Sequence, residues 1–490
     1  MRRFAWSPAR NTPMTGSARF VPWVPQTLLS QRESTSSMAG PLHIPVIRRG
    51  KVYRSLDVSP LVDPRDGSLV AEISIANTDL IERDARVFHS NQTNPYRLEI
   101  EECQAIAHGA ADAFLEGELE LYPDGPVHGP QEYRDHLCCT TGLTQAHVHT
   151  QSERLANAIR TVTESIQQQA GGAVRKQVAS GLAVILPNNA PGVNGLWLPA
   201  LGLGVPVAIK PGHSDPWTPL RILSAWRSAG LSDGLMSYYP STHAGVNMLL
   251  NSWPRGLLFG DGATVQPYRS RPDVDVRGPG RSKLIFGSDT ISNWSDHMDL
   301  MVSSVLYNGG RSCICASTIV VPSHGEAIAQ ALAERLVEVG PSDGETLAAC
   351  VEPGLAKRLN QYVDEAVRND GVTDCSSELR GSPRWVVHDG LEYLLPTVVL
   401  CRDTSQSIAQ TELPFPLVSV VEVAPDQIVD WLEPGLVATV VSDDANFVAG
   451  LRQSGKISTM HQGPIPTTEI RWDSPPEGNL VDHLCSQTGS

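Results

Sequence analysis

The chain has 490 residues, 41% of them hydrophobic, which is enough to bury more than one core, so two or three structural units are expected. A formal net charge of −15 argues against a nucleic-acid surface, because phosphate contacts draw on Lys and Arg. No run of about 18 or more apolar residues marks a membrane span. A local basic pocket for an anionic cofactor is all the charge balance leaves open in that direction.

The first stretch stands apart. Glu33 is the one acid among residues 1–50, against Arg2, Arg3, Arg10, Arg19, Arg32, Arg48 and Arg49. An Arg- and Ser-rich, acid-poor start reads as a disordered leader, as sequence upstream of a start near Met38, or as an organelle transit peptide. Residues 1–45 are therefore set aside. From there, Pro64, Asp66 and Gly67 form a turn before a short strand, and "ECQAIAHGAADAFLEG" has helical spacing. "SERLANAIRTVTESI" places Leu155, Ile159, Val162 and Ile166 on one helical face, with Ser152 as its cap. His147 and His149 precede it as a His-x-His pair with no third metal ligand in view.

From Gly181 the pattern alternates. "GLAVIL" is a buried-strand run, "PNNAPGVNG" a loop, "LWLPALGLG" a short helix, "VPVAIK" a second strand and "LRILSAWRSAG" a helix that Gly230 stops. Strand, helix, strand, helix implies a parallel sheet whose ligand loops lie after the strands, at Asn188–Gly192 and Lys210–Asp215. The "GLG" at Gly202–Gly204 follows a helix rather than a strand and is not a dinucleotide fingerprint. Further on, "NGGRSC" leads into the strand "ASTIVVP". The helix "SHGEAIAQALAERLVEVG" follows, with Ile328, Leu332, Leu336 and Val339 inward, and then the strands "EYLLPTVVL" and "PLVSVVEV" around the loop "QTELPFP". "DCSSELRGSP" reads as a surface loop. Trp197, Trp217, Trp253 and Tyr307 are core residues or the lining of an apolar substrate tunnel.

The nine cysteines are odd in number and contain no C-x-x-C pair, so neither a zinc ribbon nor a disulfide framework is suggested, and a reducing cytoplasmic setting fits. Each is most simply a small buried hydrophobe. Cys313 and Cys315, one residue apart after a glycine-rich turn, raise the question of a nucleophile.

Taken in order, "LPNNAPG…LPALGLGVPVAIKPGH", "NGGRSCICASTIVV" and "LPTVVL…QTELPFPLVSVVEV" resemble the aldehyde dehydrogenase superfamily from about Val62 to Asp444. The resemblance implies an α/β fold with a Rossmann-type cofactor domain over residues 46–280, a second α/β catalytic domain over 281–455, and reduced oligomerisation elements in an atypical segment over 456–490. It implies Cys313 as nucleophile, with Cys315 a packing neighbour. Asn189 would be the amide that stabilises the oxyanion. The cofactor, NAD or NADP, would be held by Pro187, Lys210, His213, Gly260, Glu412 and Phe415. His213 stands where the family carries an acid that repels a 2′-phosphate, so NADP stays open beside NAD.

Departures from the family pattern bear on the acyl acceptor. Arg277 or Gly278 stands where hydrolytic members carry the general-base glutamate, and an arginine takes no proton at neutral pH. Asp261 replaces a serine near the pyrophosphate. Beyond Lys456 the usual closing motif is missing, which leaves a homodimer in question. The expected activity is NAD(P)-dependent oxidation of an aldehyde through a cysteine thioester. The alternatives are a coenzyme A-acylating enzyme or acyl-CoA reductase, and a catalytically silent homologue that binds a ligand. The expected partner is a small aldehyde or acyl thioester, with no nucleic acid, membrane or metal.

Overall fold

The computed structural model describes residues 42–90, 96, 98–171, 175–177, 179–188, 191–472, 474–475 and 478–487. The expectations placed on residues 1–41 and on Asn189 lie outside the described residues.

Two seven-stranded sheets carry the fold. Their central strands are short apolar, β-branched runs such as Leu182–Ile185 (LAVI), Val207–Lys210 (VAIK) and Ala316–Val321 (ASTIVV), buried almost throughout, as strands of a parallel sheet covered on both faces must be. The first sheet runs in the order Val274–Arg277, Arg255–Phe259, Leu182–Ile185, Val207–Lys210, Met236–Tyr238, Val46–Arg48, Lys51–Tyr53. Its first five strands are parallel; Val46–Arg48 pairs antiparallel with the fifth, and Lys51–Tyr53 antiparallel with Val46–Arg48. From Leu182–Ile185 the chain proceeds to one side, and from the neighbouring Arg255–Phe259 it proceeds to the other. The strand order reverses between them, so the loops beginning at Leu186 and Gly260 flank a crevice at the carboxyl edge, the place where open α/β sheets take ligands.

Helices Ile100–Glu116 and Trp217–Ser228 pack against each other beside this sheet. Buried Arg221 bolts them together: Nε donates to Phe114 O (2.7 Å), Nη2 to Gly117 O (2.9 Å) and Nη1 to His128 O (3.1 Å). The first two carbonyls belong to the helix C-terminus, where the intrahelical ladder has run out of donors and a cation meets the negative end of the dipole.

The second sheet runs Val372–Asp374, Thr397–Cys401, Leu417–Glu422, Ala316–Val321, Ser282–Phe286, Gly435–Val441, Ile457–Gln462, parallel except at the Val372–Asp374 edge. Strand Val274–Arg277 leaves the first sheet at its carboxyl end, and after only four residues, 278–281, Ser282–Phe286 enters the second at its amino end. That link joins the carboxyl edge of one sheet to the amino edge of the other.

Several expectations change on folding. The 152–166 helix begins earlier, at Gln145, capped by the Thr144 side chain on His147 N; it ends at Arg160, and Val162–Gln169 is a separate helix. Ser152 is thus an interior residue, and His147 and His149 lie within the helix. No group of three His, Cys, Asp or Glu able to hold a metal is found among the described residues. "EYLLPTVVL" divides between Leu391–Leu394, paired with Trp385–His388, and Thr397–Cys401, because Pro396 cannot donate to a ladder. The "surface loop" at Cys375 holds a buried ion-pair node, in which Asp374 accepts from Arg380 (2.9 Å) and Arg384 (2.7 Å). The segment past Lys456 also does more than expected. Ile457–Gln462 completes the second sheet, and Cys485–Gln487 pairs antiparallel with Arg175–Gln177. No helix among the described residues is long and apolar enough to cross a membrane.

Candidate active site

The carboxyl edge of the first sheet gathers the loops singled out above. Pro187 and Asn188 follow Leu182–Ile185, and Lys210 closes Val207–Lys210. Asn188 Oδ1 accepts from Ser214 N (3.0 Å), and Gly212 lies so close to Pro187 that a Cβ there would sit 2.3 Å from the Pro187 carbonyl oxygen. The two loops are therefore one interlocked unit that tolerates only glycine at 212. Burial draws the Lys210 pKa below the ordinary lysine value, and its ammonium has no hydrogen bond or ion pair among the described residues. A largely buried, unpartnered cation beside a sheet crevice fits an oxygen-rich ligand such as the ribose of a nicotinamide dinucleotide. His213 is exposed on the same loop and brings no anion that would repel a 2′-phosphate.

Gly260 ends the neighbouring strand, Arg255–Phe259. The acid after it does not point toward a ligand. Asp261 is the N-cap of the short helix Gly262–Val265, its Oδ1 accepting from Thr264 N (2.8 Å), so the expected clash with a pyrophosphate is reduced by a side chain turned onto its own backbone.

Cys313 lies on the amino side of strand Ala316–Val321, on a loop made possible by three successive left-handed residues: Asn308 (φ 50°), Gly309 (φ 63°) and Gly310 (φ 72°). Gly310 is obligatory twice over, since a Cβ would also meet Pro416 N at 2.4 Å. The 278–281 link presses directly on this loop. A Cβ on Gly280 would fall 1.8 Å from the Cys313 carbonyl oxygen, and Ser282 Oγ donates to that same oxygen (2.9 Å). Cys313 is half-buried and packs, with Tyr307 and Ile470, on a small apolar cluster of Ile314, Leu436 and Val437. Cys315 differs in kind. It is buried, its Sγ bonds Tyr307 O (3.1 Å), and burial pushes its thiol up to about 12, which leaves it protonated and inert.

Glu412 reaches the same link. Its carboxylate accepts from Arg281 N (2.5 Å) and from the Gly280 amide. Burial nonetheless raises its pKa to about 7, the amides pulling the other way. Lys283, two residues on, is buried with Nζ on Arg281 O (2.6 Å), and burial lowers it to about 8. Phe415 is placed elsewhere: its ring is buried in the core of the second sheet and is spent on packing rather than turned to a cofactor. Of the aromatic residues considered for a tunnel, Trp197, Trp217 and Trp253 are core, and Tyr307 alone adjoins Cys313's cluster.

A second wall of this site escaped the sequence reading. Tyr307 Oη accepts from Gln151 Nε2 and Arg154 Nη1, both at 2.6 Å, and Arg154 Nη1 also donates to Thr468 O (3.1 Å). Arg154 stacks over the Tyr307 ring at 4.5 Å from its centroid. Gln151 and Arg154 share a face of helix Gln145–Arg160 at i, i+3 spacing. The signal was there, in a glutamine falling on the apolar face, but its partner is 156 residues downstream.

The sequence pattern of the aldehyde dehydrogenase family matches residues 59–461. The chain belongs to this family. It is 29% identical over 263 residues to N-succinylglutamate 5-semialdehyde dehydrogenase of Chromobacterium violaceum, covering 50% of this chain and 51% of that protein. It is 26% identical over 290 residues to alpha-ketoglutarate semialdehyde dehydrogenase of Haloferax volcanii, covering 55% and 58%. The chain thus spans about half the length of the curated relatives it matches. Among solved structures, the NAD+ complex of an aldehyde dehydrogenase from Bacillus cereus superimposes with a TM-score of 0.74 at 15% identity over 91% of this chain and 95% of that one, a likeness of fold.

A buried cation lies close to the loop of Cys313 in this member of the family. Arg277 is 3% exposed and ion-paired to Asp275 two residues earlier on the same strand. Its Nε and Nη1 find no hydrogen-bond partner among the described residues. A fixed cation therefore stands next to the link that braces Cys313.

Proposed function

We propose that this chain oxidises an aldehyde with NAD or NADP through a thioester on Cys313. The observation that carries the reading is the placement of Cys313. It is half-buried, on a loop braced by Gly280 and Ser282 where the carboxyl edge of the cofactor-type sheet meets the amino edge of the second. Residues 46–280 act as the cofactor-binding domain and 281–455 as the catalytic one. Lys210, with Pro187, His213 and Gly260 around the crevice, would hold the dinucleotide, and Glu412 its nicotinamide ribose. A bound nicotinamide would supply the two-electron acceptor that the oxidation requires. Cys313 Sγ, as thiolate, adds to the aldehyde carbon, and the oxyanion so formed is met by the Asn189 amide and the Cys313 N–H. Oxidation leaves the acyl group on Sγ as a thioester, which an acceptor thiol or water then removes.

Arg277 favours a second reading for that last step. Where a hydrolytic enzyme needs a base, this chain holds a guanidinium that is already paired, so an acceptor that ionises unaided, such as coenzyme A, suits it better than water. Nine cysteines without a disulfide among the described residues agree with a cytoplasmic setting. The test is formation of reduced nicotinamide from NAD or NADP with an aldehyde panel, with and without coenzyme A, beside Cys313→Ala. Turnover that needs Cys313 is expected, and its dependence on coenzyme A selects the acceptor. No reduced nicotinamide under any condition, and no acyl adduct on Cys313 by mass spectrometry, would overturn the reading.

A further inference from the structure

The wall of the site facing Tyr307 carries a cation that its surroundings do not neutralise. Arg154 uses one nitrogen, Nη1, on two neutral oxygens, Tyr307 Oη (2.6 Å) and Thr468 O (3.1 Å). The Nε and Nη2 donors, the pair that forms a bidentate fork, have no partner among the described residues. No carboxylate there comes within ion-pairing distance, although the chain carries 53 acids against 38 Lys and Arg. The acids adjacent in sequence are turned away: Glu153 and Glu469 are both exposed, and Glu469 lies by His461. Buried Arg221 is likewise without an acid, but all three of its nitrogens are spent on carbonyls, whereas Arg154 keeps two that are not, which calls for an explanation.

Its position supplies the explanation. The Tyr307 ring on which Arg154 is stacked packs on the same three apolar residues as Cys313. Gln151 holds the other side of the Tyr307 hydroxyl (2.6 Å), so the phenol oxygen is saturated by two donors and the guanidinium plane is fixed. Thr468 and Ile470, on one short segment, reach Arg154 and the Cys313 cluster respectively. Arg154 and Cys313 are thus linked through a single residue, Tyr307, so a molecule with its reacting carbon at Cys313 would reach Arg154 by passing Tyr307. We propose that Arg154, oriented by Tyr307 and Gln151, is the residue that selects the substrate, and that the substrate is an aldehyde with a carboxylate at the far end of its chain. The proposal rests on the reading of Cys313 as nucleophile. A carboxylate matches the planar fork of a guanidinium in geometry and charge, and a neutral aldehyde of the same length would leave it unpaired.

The experiment compares ω-oxo acids of four to six carbons with the unsubstituted aldehydes of equal length, for the unmodified protein, Arg154→Met, Arg154→Lys and Tyr307→Phe, and follows succinate binding to each by calorimetry. The expected result is a preference for oxo acids. Arg154→Met should raise KM for the oxo acids by roughly a hundredfold with kcat little changed, and leave the neutral aldehydes within about threefold. Arg154→Lys should fall between, because an ammonium keeps the charge and loses the fork. Tyr307→Phe should weaken oxo-acid selectivity without abolishing it. Equal losses for both aldehyde classes would assign Arg154 a structural role and overturn the proposal, as would selectivity that survives Arg154→Met. If no aldehyde at all is turned over, the catalytic reading fails, and the succinate titration still judges Arg154: binding that is undiminished in Arg154→Met overturns its role.

Discussion

Two stretches in contact, the Asn308–Cys315 loop and the link from Arg277 to Lys283, differ in what they hold. The first joins three left-handed residues to a buried strand, with a half-buried cysteine between them. The second carries no thiol. Gly280 closes onto Cys313 and Ser282 bonds its carbonyl, while Arg277 at its start is paired to Asp275. Steric constraints explain the asymmetry. Gly280 cannot change without moving Cys313, whereas residue 277 can change its charge if a neighbour answers it, as Asp275 does. Under the proposed mechanism, thioester formation and thioester release would therefore depend on different stretches of this chain.

The contrast can be broken most sharply at the sulfur. Cys313→Ala is expected to lower kcat/KM by at least about a thousandfold, read as reduced nicotinamide, with an unchanged melting temperature. A variant that kept a tenth of the activity would move the nucleophile out of this loop. Gly280→Ala should cost about 4 kcal/mol or more in denaturant unfolding, because the Cβ would meet a backbone atom rather than a side chain that can turn aside. A loss below about 1 kcal/mol would show that the two stretches are not braced. Arg277→Met strands Asp275 without its partner and should cost about 3 kcal/mol by the same measurement, and it should not create hydrolysis of a preformed acyl-enzyme.

Glu412 sharpens the comparison through pH. Its pKa is about 7 in the folded chain against an ordinary 4.5, so the native state binds the proton more tightly than the unfolded one. Stability contributed at low pH is accordingly lost as pH rises from about 4.5 to 7. Glu412→Gln should abolish that loss, raising stability at pH 8 relative to pH 5 by on the order of 2 kcal/mol in thermal unfolding. A parallel shift at both pH values would refute the raised pKa. The smallest effect is expected at the second cysteine. Cys315→Ser, which buries a more polar group but keeps a donor for Tyr307 O, should cost about 1 kcal/mol and leave turnover within about threefold.

The sequence by itself determined the parallel strands and the loops that end them, and it singled out Cys313. All of these rest on local patterns, namely apolar runs of strand length, glycines where the backbone turns left-handed, and a thiol at a set distance from them. It misplaced what depends on neighbours distant in the chain. Ser152 reads as a cap until a helix starting at Gln145 encloses it, Asp261 reads as a ligand-facing acid until it caps its own helix, and Phe415 reads as a site residue until the second core closes over it. The tertiary structure alone decided that Arg154 meets Tyr307 and Thr468, 153 and 314 residues away, and that Arg277 is held by Asp275 beside the link to Cys313. The physical reason is that a charge takes its meaning from what lies within a few ångströms of it, and no periodicity along the chain records which segments packing will bring that close.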